Sequence, residues 1–182
     1  MSEDWLARWE QGNTGWHEPD GNPFLREYWP SGGAGQRVLV PLCGKALDLR
    51  WLAERGHRVT GIELSPVAIE AFFAEQGIGF ERDPADDLVC YRAQGMDITL
   101  YCGDYFAFHD DPFDAMFDRG ALVALDATLR PRYAEHTRTL LAPDAVQLLV
   151  TLSYDQSRAA GPPFSVPQDE VQAYWPTLEA VH

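Results

Sequence analysis

Two residues in the first half of the chain, Gly44 and Glu63, have the types and positions that nucleoside binding requires. A glycine has no Cβ, so its backbone can lie directly against a ligand. In nucleotide-binding βαβ units, a carboxylate at the end of the second strand accepts hydrogen bonds from the ribose hydroxyls. The structural alternative for Glu63 is to cap the helix that begins near Ser65. The residue types therefore predict a ribose-binding acid, with a helix cap as the alternative.

The sequence around this pair predicts the structural unit that would position it. Arg37–Pro41 is a short apolar run typical of a buried strand, and Arg58–Leu64 is a second one. Between them, residues 46–55 carry apolar side chains at helical spacing. Ligands of such strand–helix–strand units lie outside the carboxyl ends of the strands. We therefore expect Gly44 and Glu63 to meet at one edge of a sheet.

The loop after the first strand, Leu42-Cys43-Gly44-Lys45, narrows the choice of nucleotide. A dinucleotide-binding loop needs G-x-G-x-x-G and a P-loop needs G-x-x-x-x-G-K-[ST], whereas this loop contains a single glycine. The missing first motif disfavours a nicotinamide-dependent oxidoreductase. A single glycine, the apolar Leu42 and a ribose-binding acid suit an adenosine without phosphate groups. The predicted cofactor is S-adenosylmethionine, whose demethylated product is S-adenosylhomocysteine.

Three separated segments carry a resemblance to a known family. They are WLARWEQGNTGWHE from Trp5, VLVPLCGKALDLRWLAERGHRVTGIELS from Val38, and FDRGALVAL from Phe117. With these segments in this order, the chain resembles the bacterial thiopurine S-methyltransferases over about residues 4–182. The resemblance implies an S-adenosylmethionine-dependent enzyme that methylates the sulfur of an aromatic or heterocyclic thiol. Bacterial members also act on selenium or tellurium species.

The fold expected from pattern and resemblance is one α/β domain over residues 1–182. A Rossmann-like core (36–182) would hold a doubly wound, mostly parallel sheet with helices on both faces, and residues 1–35 would form a helical lid. The other predicted helices are 2–12, 22–29, 66–76, 129–141 and 168–174; the other predicted strands are 89–92, 98–102, 113–117, 145–152 and a strand beginning at 177–181. Residues 80–87 are expected to be irregular.

The C-terminal part of the sequence departs from the family pattern. After the strand expected at 177–181, the sequence contains no residues for the antiparallel strand seven of these methyltransferases. The preceding strand would pair elsewhere, which leaves an exposed sheet edge prone to association. Two alternatives to the thiol methyltransferase therefore stay open. One is a catalytically impaired protein that still binds the cofactor, and the other is a methyltransferase of a different small nucleophile.

The N-terminal segment is rich in tryptophan. Trp5 and Trp9 lie on one face of the predicted helix 2–12, and Trp16 follows in a loop of small residues that also carries His17. Packing against the domain is one explanation, and a lid over a flat aromatic ligand is the other. The resemblance implies that these tryptophans border the cofactor and that Trp9 contacts it. His17 is either a proton acceptor near the substrate or a loop histidine, and the sequence favours the second.

Asp104 and Tyr105 follow the predicted strand 98–102. In this fold the turn after that strand reaches the adenine. Asp104 is therefore expected to accept a hydrogen bond from the exocyclic amine, and Tyr105 to border the ring. The alternative is an ordinary Gly-Asp turn.

Arg119 lies just beyond the predicted strand 113–117, which places it in the ligand crevice. Its guanidinium is permanently charged. It could hold the methionyl carboxylate of the cofactor, or lower the pKa of a substrate thiol. The resemblance implies a binding residue, and we assign Arg119 both a cofactor-binding and a catalytic role. The alternative is a salt bridge to Asp118 or Asp126.

Composition limits the partners and the compartment. Fourteen basic against 28 acidic residues give a net charge of −14, which argues against nucleic acid and anionic membrane surfaces. The three cysteines have no C-x-x-C spacing, and no signal peptide or membrane-spanning run is evident, so we expect a cytoplasmic location. The acidic cluster at residues 109–111 is expected to be a solvated turn and not a metal site. The expected partner is a small-molecule thiol, and the expected state a monomer.

Overall fold

The computed structural model describes residues 2–31 and 33–181, and a seven-stranded sheet forms its centre. The strands are β1 (Arg37–Pro41), β2 (Arg58–Glu63), β3 (Phe80–Ala85), β4 (Leu88–Ala93), β5 (Ile98–Cys102), β6 (Phe113–Asp118) and β7 (Leu141–Leu149). The α-helices are α1 (Ser2–Glu10), α2 (Pro23–Tyr28), α3 (Asp48–Glu54), α4 (Pro66–Gln76), α5 (Arg130–Leu140) and α6 (Gln168–Tyr174). Met1, Gly32 and His182, which fall within the predicted domain, lie outside the described residues.

The strand order is β3-β4-β5-β2-β1-β6-β7. Strands β5, β2, β1, β6 and β7 are parallel, whereas the β3–β4 hairpin joins β5 in antiparallel fashion. From β1 the chain runs outward to one side of the sheet and then returns to build β6 on the other side. Because the order reverses at β1, a crevice forms at the carboxyl ends of β1 and β6. The predicted doubly wound, mostly parallel sheet is confirmed.

The central strands are buried on both faces, as their continuous apolar sequences predict. Val38 and Leu39 of β1 are fully buried and belong to two different clusters of core residues. One cluster includes residues of α2, α3 and α4, and the other includes residues of α5 and α6. Helices therefore cover both faces of the sheet.

Helix α4 shows how the sequence sets the element boundaries. The hydroxyl of Ser65 accepts a hydrogen bond from the Ala68 backbone N–H at 3.3 Å, and Pro66 occupies the first turn. Gly77 ends the helix in the left-handed conformation, with φ of 62°. The helix therefore spans the predicted residues, and its start fixes the chain that leaves β2.

The expectation of irregular structure at residues 80–87 is wrong. Phe80–Ala85 forms an edge strand paired with β4, and Asp83 forms an ion pair with Arg92 across the hairpin at 2.7 Å. Most side chains of β3 are exposed, so the strand carries no alternation of apolar and polar residues for a sequence pattern to detect. Solvated charges at an edge protect it from further pairing and do not prevent the strand.

The C-terminal region also differs from expectation. The strand predicted at 177–181 is wrong, since no strand follows Leu149 in the described residues. Strand β7 begins at Leu141, earlier than predicted, with an irregular register beside Phe113 and Ala115 of β6. The sheet reaches seven strands through the β3–β4 hairpin. Strand β7 ends the sheet, and no described residue pairs with its outer edge.

Two further features concern the described residues as a whole. None of the helices in residues 2–31 and 33–181 combines the length and hydrophobicity of a membrane-spanning segment. Within the same ranges, no cluster of three or more His, Cys, Asp and Glu side chains could hold a metal ion.

Candidate functional site

A cavity of about 850 Å³ lies at the carboxyl ends of β1, β2, β5 and β6. Its walls come from the loops that follow these strands, together with α1, the loop after α1 and the start of α5. Every site residue predicted from the sequence lines it: Trp5, Trp9, Trp16, Leu42, Gly44, Glu63, Asp104, Tyr105 and Arg119. The structure thus brings together residues from five separate segments of the chain.

Gly44 sits where no other residue fits easily. Its φ of 53° lies in the left-handed region, which side chains with a Cβ rarely adopt. A Cβ at this position would stand 3.0 Å from Cζ2 of Trp9. The backbone N–H of Gly44 donates to Oε2 of Glu63 at 2.8 Å. Glycine is therefore required both by the turn and by the ring packed over it.

Glu63 is buried, and both of its oxygens accept backbone hydrogen bonds. Oε1 accepts from the Ser65 N–H at 2.8 Å, while Oε2 accepts from Gly44. The structural alternative is thus partly correct, because Ser65 is the N-cap residue of α4. Each carboxylate oxygen still has a second lone pair for a ligand in the cavity. Burial raises the pKa of Glu63, and the hydrogen bonds from Ser65 and Gly44 oppose that rise.

The three tryptophans form one wall of the cavity. The Trp16 ring lies edge-on to Trp5 at 5.0 Å and to Trp9 at 5.6 Å between centroids. Trp9 is 7% exposed and covers Gly44. The loop after α1 therefore folds back onto its own helix. The rings pack on one another and also line the cavity, so packing is confirmed, and the lid over a ligand stays a prediction.

Arg119 connects the end of β6 to the loop before α2. Its Nη1 donates to the Trp16 carbonyl at 2.9 Å, and its Nε lies 3.4 Å from Oε2 of Glu18. The predicted alternative, a salt bridge to Asp118 or Asp126, is wrong. Arg119 is mostly buried yet lines the cavity, so its charge is available to a ligand there.

Asp118 has a different role, which explains why it does not pair with its neighbour. Its buried carboxylate accepts from the backbone N–H of Ala121 at 2.9 Å and from the Tyr133 hydroxyl at 2.7 Å. Burial raises the pKa of Asp118, and these donors lower it. Asp118 therefore holds the turn that presents Arg119.

Asp104 and Tyr105 lie together in the turn after β5. Oδ1 of Asp104 accepts from the Phe106 N–H at 3.0 Å and caps a short 3₁₀ turn, so the ordinary turn is present. The Tyr105 hydroxyl is buried and hydrogen-bonded to Thr137 at 3.0 Å. Burial raises the pKa of this phenol well above its usual range. Its ring is fixed in place and borders the cavity, as does Asp104.

His17 lines the same cavity, beside Lys45 and Arg119. Burial lowers its pKa, and the positive charge of Lys45 lowers it further. A neutral imidazole is favoured by these surroundings. His17 is thus a loop residue that also lines the cavity.

Several cavity residues were missed by the sequence reasoning. Asn22 and Asp48 form a buried polar pair, in which the Asn22 backbone N–H donates to Oδ1 of Asp48 at 2.7 Å. The signal was an acid near the start of the helical pattern of residues 46–55, but a solvated first-turn acid gives the same signal. The missed apolar lining residues come from α2 and from segments after β6 and β7: Phe24, Val123, Leu125, Leu129 and Leu152.

The chain matches the family model described as thiopurine S-methyltransferase over residues 1–181. The thiopurine S-methyltransferase of Bordetella petrii is 49% identical over 179 residues, which cover 96% of this chain and 81% of the relative. That of Methylococcus capsulatus is 45% identical over 172 residues, covering 92% of this chain and 77% of the relative.

Solved structures of methyltransferases share the fold. The N-methyltransferase NodS from Bradyrhizobium japonicum, in complex with S-adenosylhomocysteine, has a TM-score of 0.69 at 20% identity over 97% of this chain and 87% of its own. The 1,6-didemethyltoxoflavin-N1-methyltransferase of Burkholderia thailandensis has a TM-score of 0.62 at 21% identity, covering 85% of this chain and 62% of that one. The sheet and its helices are thus those of class I S-adenosylmethionine-dependent methyltransferases. The sequence matches, which span nearly the whole chain, show that it belongs to the thiopurine S-methyltransferase family.

Proposed function

We propose that this chain transfers the methyl group of S-adenosylmethionine to the sulfur of an aromatic or heterocyclic thiol. The observation that carries the proposal is the convergence of Gly44, Glu63, Asp104 and Arg119 on one cavity at the carboxyl ends of the parallel strands. Family membership supports the same activity. Soft selenium or tellurium nucleophiles are part of the proposal, since they share the reactivity of thiolates.

The residues around the cavity fit the cofactor. The bare backbone of Gly44 and the buried carboxylate of Glu63 form a cradle that a Cβ at residue 44 would disturb. In this proposal Glu63 accepts from the ribose hydroxyls with its remaining lone pairs. Leu42 packs against the nucleoside beside this cradle.

The adenine and the outer wall involve a second group of residues. Asp104 would accept from the exocyclic amine, and the fixed ring of Tyr105 would border the base. Trp5, Trp9 and Trp16 would close over the cofactor, as part of a lid formed by residues 1–35 on the core of residues 36–182.

In methyl transfer the protein mainly aligns the acceptor sulfur with the methyl group of the cofactor. The bound cofactor supplies an electrophilic methyl group on a sulfonium centre. Apolar residues such as Leu125 and Leu152 exclude water and hold a flat acceptor, and orienting two reactants in this way accounts for large rate effects. Arg119 would orient the methionyl carboxylate, or stabilise the acceptor sulfur as a thiolate. A thiol of low pKa needs little further base.

We propose that the chain is a monomer, that association through the outer edge of β7 accompanies high concentration, and that it acts in the cytoplasm. The free thiols Cys43, Cys90 and Cys102 agree with a reducing compartment.

Calorimetric titration with S-adenosylhomocysteine, followed by an assay with an aromatic thiol and S-adenosylmethionine, tests the proposed function. Binding together with methyl thioether formation supports it. Binding without product would leave a cofactor-binding protein that lacks the activity. The absence of binding would contradict the roles given to Gly44 and Glu63.

A further inference from the structure

Asp48 is a buried acid that lines the cavity and has one oxygen without a hydrogen-bond partner among the described residues. The residue begins α3, lines the cavity and is 2% exposed. Its Oδ1 accepts from the Asn22 backbone N–H at 2.7 Å. Its Oδ2 has no hydrogen-bond partner among the described residues. A buried acceptor without a donor is costly, so a ligand that supplies the donor would be favoured.

Asp104 is exposed, and the two other acids of the cavity differ from Asp48 in this respect. Both oxygens of Glu63 accept backbone hydrogen bonds. Both oxygens of Glu18 accept from the side-chain amide of Asn22, at 3.2 and 3.0 Å, and Glu18 also pairs with Arg119. Asp48 is thus the buried acid of this cavity, within the described residues, that has a whole oxygen free.

The surroundings of Asp48 define the donor it would accept. Arg119 and Arg26 carry positive charge nearby, whereas Glu18 carries negative charge. Burial raises the pKa of Asp48, and the Asn22 N–H and Arg119 oppose that rise. An anionic acceptor sulfur placed against this carboxylate would be repelled. A neutral ring N–H would instead donate to it, and a carboxylate of raised pKa takes up such a proton more readily.

We propose that Asp48 binds the ring N–H of a neutral heterocyclic thioamide and takes its proton as the sulfur is methylated. This inference rests on the proposed function and names the acceptor chemistry of the same site. The acceptor sulfur forms a new bond to the methyl carbon while the bond from that carbon to the sulfonium sulfur of the cofactor breaks. The electron pair of the broken bond stays on the cofactor sulfur, which leaves as the thioether S-adenosylhomocysteine. The N–H proton moves to Oδ2 of Asp48 and then to solvent, which leaves a neutral S-methylated ring.

The test compares two acceptors in the full chain. Pyridine-2-thione has a ring N–H next to the sulfur, and thiophenol has none. Affinity is measured by calorimetry on the protein saturated with S-adenosylhomocysteine, and kcat/KM is measured with S-adenosylmethionine. Asp48→Asn keeps the acceptor oxygen for Asn22 but presents an amide N–H in place of the free oxygen. We expect it to lower both values for the thione about tenfold more than for thiophenol.

Two further variants make the result specific. Asp87→Asn removes a charge at an exposed site outside the cavity and is expected to change neither value. Asp48→Glu keeps a carboxylate and is expected to recover part of the preference for the thione. It also serves as the test if Asp48→Asn does not fold.

Several outcomes would overturn the inference. Equal losses for both acceptors in the Asp48 variants would indicate a structural role, and unchanged values would remove any role. Failure of the wild-type complex to bind the thione would overturn it as well. The calorimetric measurement needs no turnover, so binding of the thione that depends on Asp48 without methyl transfer would contradict the proposed function and leave the binding role intact.

Discussion

The backbone N–H of Gly44 donates to the carboxylate of Glu63 across 2.8 Å, which ties the loop after β1 to the end of β2. Trp9 lies directly over that glycine. The contact therefore links the first strand, the second strand and the N-terminal helix at one point.

Gly44→Ala is expected to weaken S-adenosylhomocysteine binding by about tenfold or more, because the new Cβ would displace Trp9. It should also reduce the free energy of unfolding by about 1 kcal/mol, since the position has a positive φ. Calorimetry and urea unfolding measure the two effects. Gly95→Ala is the matched control, because Gly95 has a φ of 78° and open space around it. Equal loss of affinity in both variants would contradict a role for the Trp9 contact.

Glu63→Ala is expected to reduce cofactor affinity by about tenfold or more, because a charged hydrogen-bonding partner is lost. The backbone N–H groups of Gly44 and Ser65 would also lose their acceptor. Glu63→Gln keeps the volume and one acceptor oxygen, and should retain more stability than affinity. Titration with S-adenosylhomocysteine beside thermal unfolding separates these effects. Unchanged affinity in either variant would remove the ribose assignment.

Arg119→Lys keeps the charge but loses the planar fork, so we expect kcat/KM to fall by about tenfold or more. Glu18→Gln is the matched variant, since it removes the ion pair at 3.4 Å and leaves Arg119 in place. A partly exposed pair of this kind contributes about 1 kcal/mol or less. Steady-state kinetics should therefore show a much smaller loss for Glu18→Gln. Equal losses would mean that Arg119 acts only by anchoring the loop before α2.

We predict that the buried carboxyl of Asp118 makes the free energy of unfolding depend on pH. Burial raises its pKa above that of the unfolded chain, so the folded state binds more protons as the acid titrates. The contribution of Asp118 to stability therefore falls as pH rises from its unfolded value of 3.8 toward the folded value. Asp118→Asn does not titrate, and its stability relative to wild type should increase over that range. Urea unfolding at several pH values measures the difference, and a difference that does not vary with pH would contradict the argument.

Much of the architecture was predictable because local patterns and tertiary structure agree. The β1–α3–β2 unit has apolar strands, a helical apolar pattern and glycine boundaries, and all of these recur in the fold. The strand at residues 80–85 was not predicted, because an exposed edge strand has no apolar face that would produce a pattern of alternating side chains. The prediction of a strand at 177–181 was wrong, because a short apolar sequence alone does not provide a pairing partner.

In the site too, features set by the local sequence could be predicted, and features set by contacts between distant segments could not. Gly44 and Glu63 could be predicted because their roles follow from position within one local unit. The partner of Arg119 could not, since Glu18 lies about a hundred residues earlier in the chain and meets it only through the fold. Asp48 was missed for a related reason. An acid near the start of a helix is usually a solvated first-turn residue, and its burial depends on Asn22 from another segment.

Methyl transfer is tested most directly with S-adenosylmethionine labelled in its methyl group, an aromatic thiol and the purified chain, with mass spectrometry of the products. We expect the label on the thiol sulfur in the same amount as S-adenosylhomocysteine is formed. We also expect Glu63→Ala to slow the formation of both products equally. Stoichiometric binding of S-adenosylhomocysteine with no labelled thioether from any thiol tested would contradict the proposed methyl transfer.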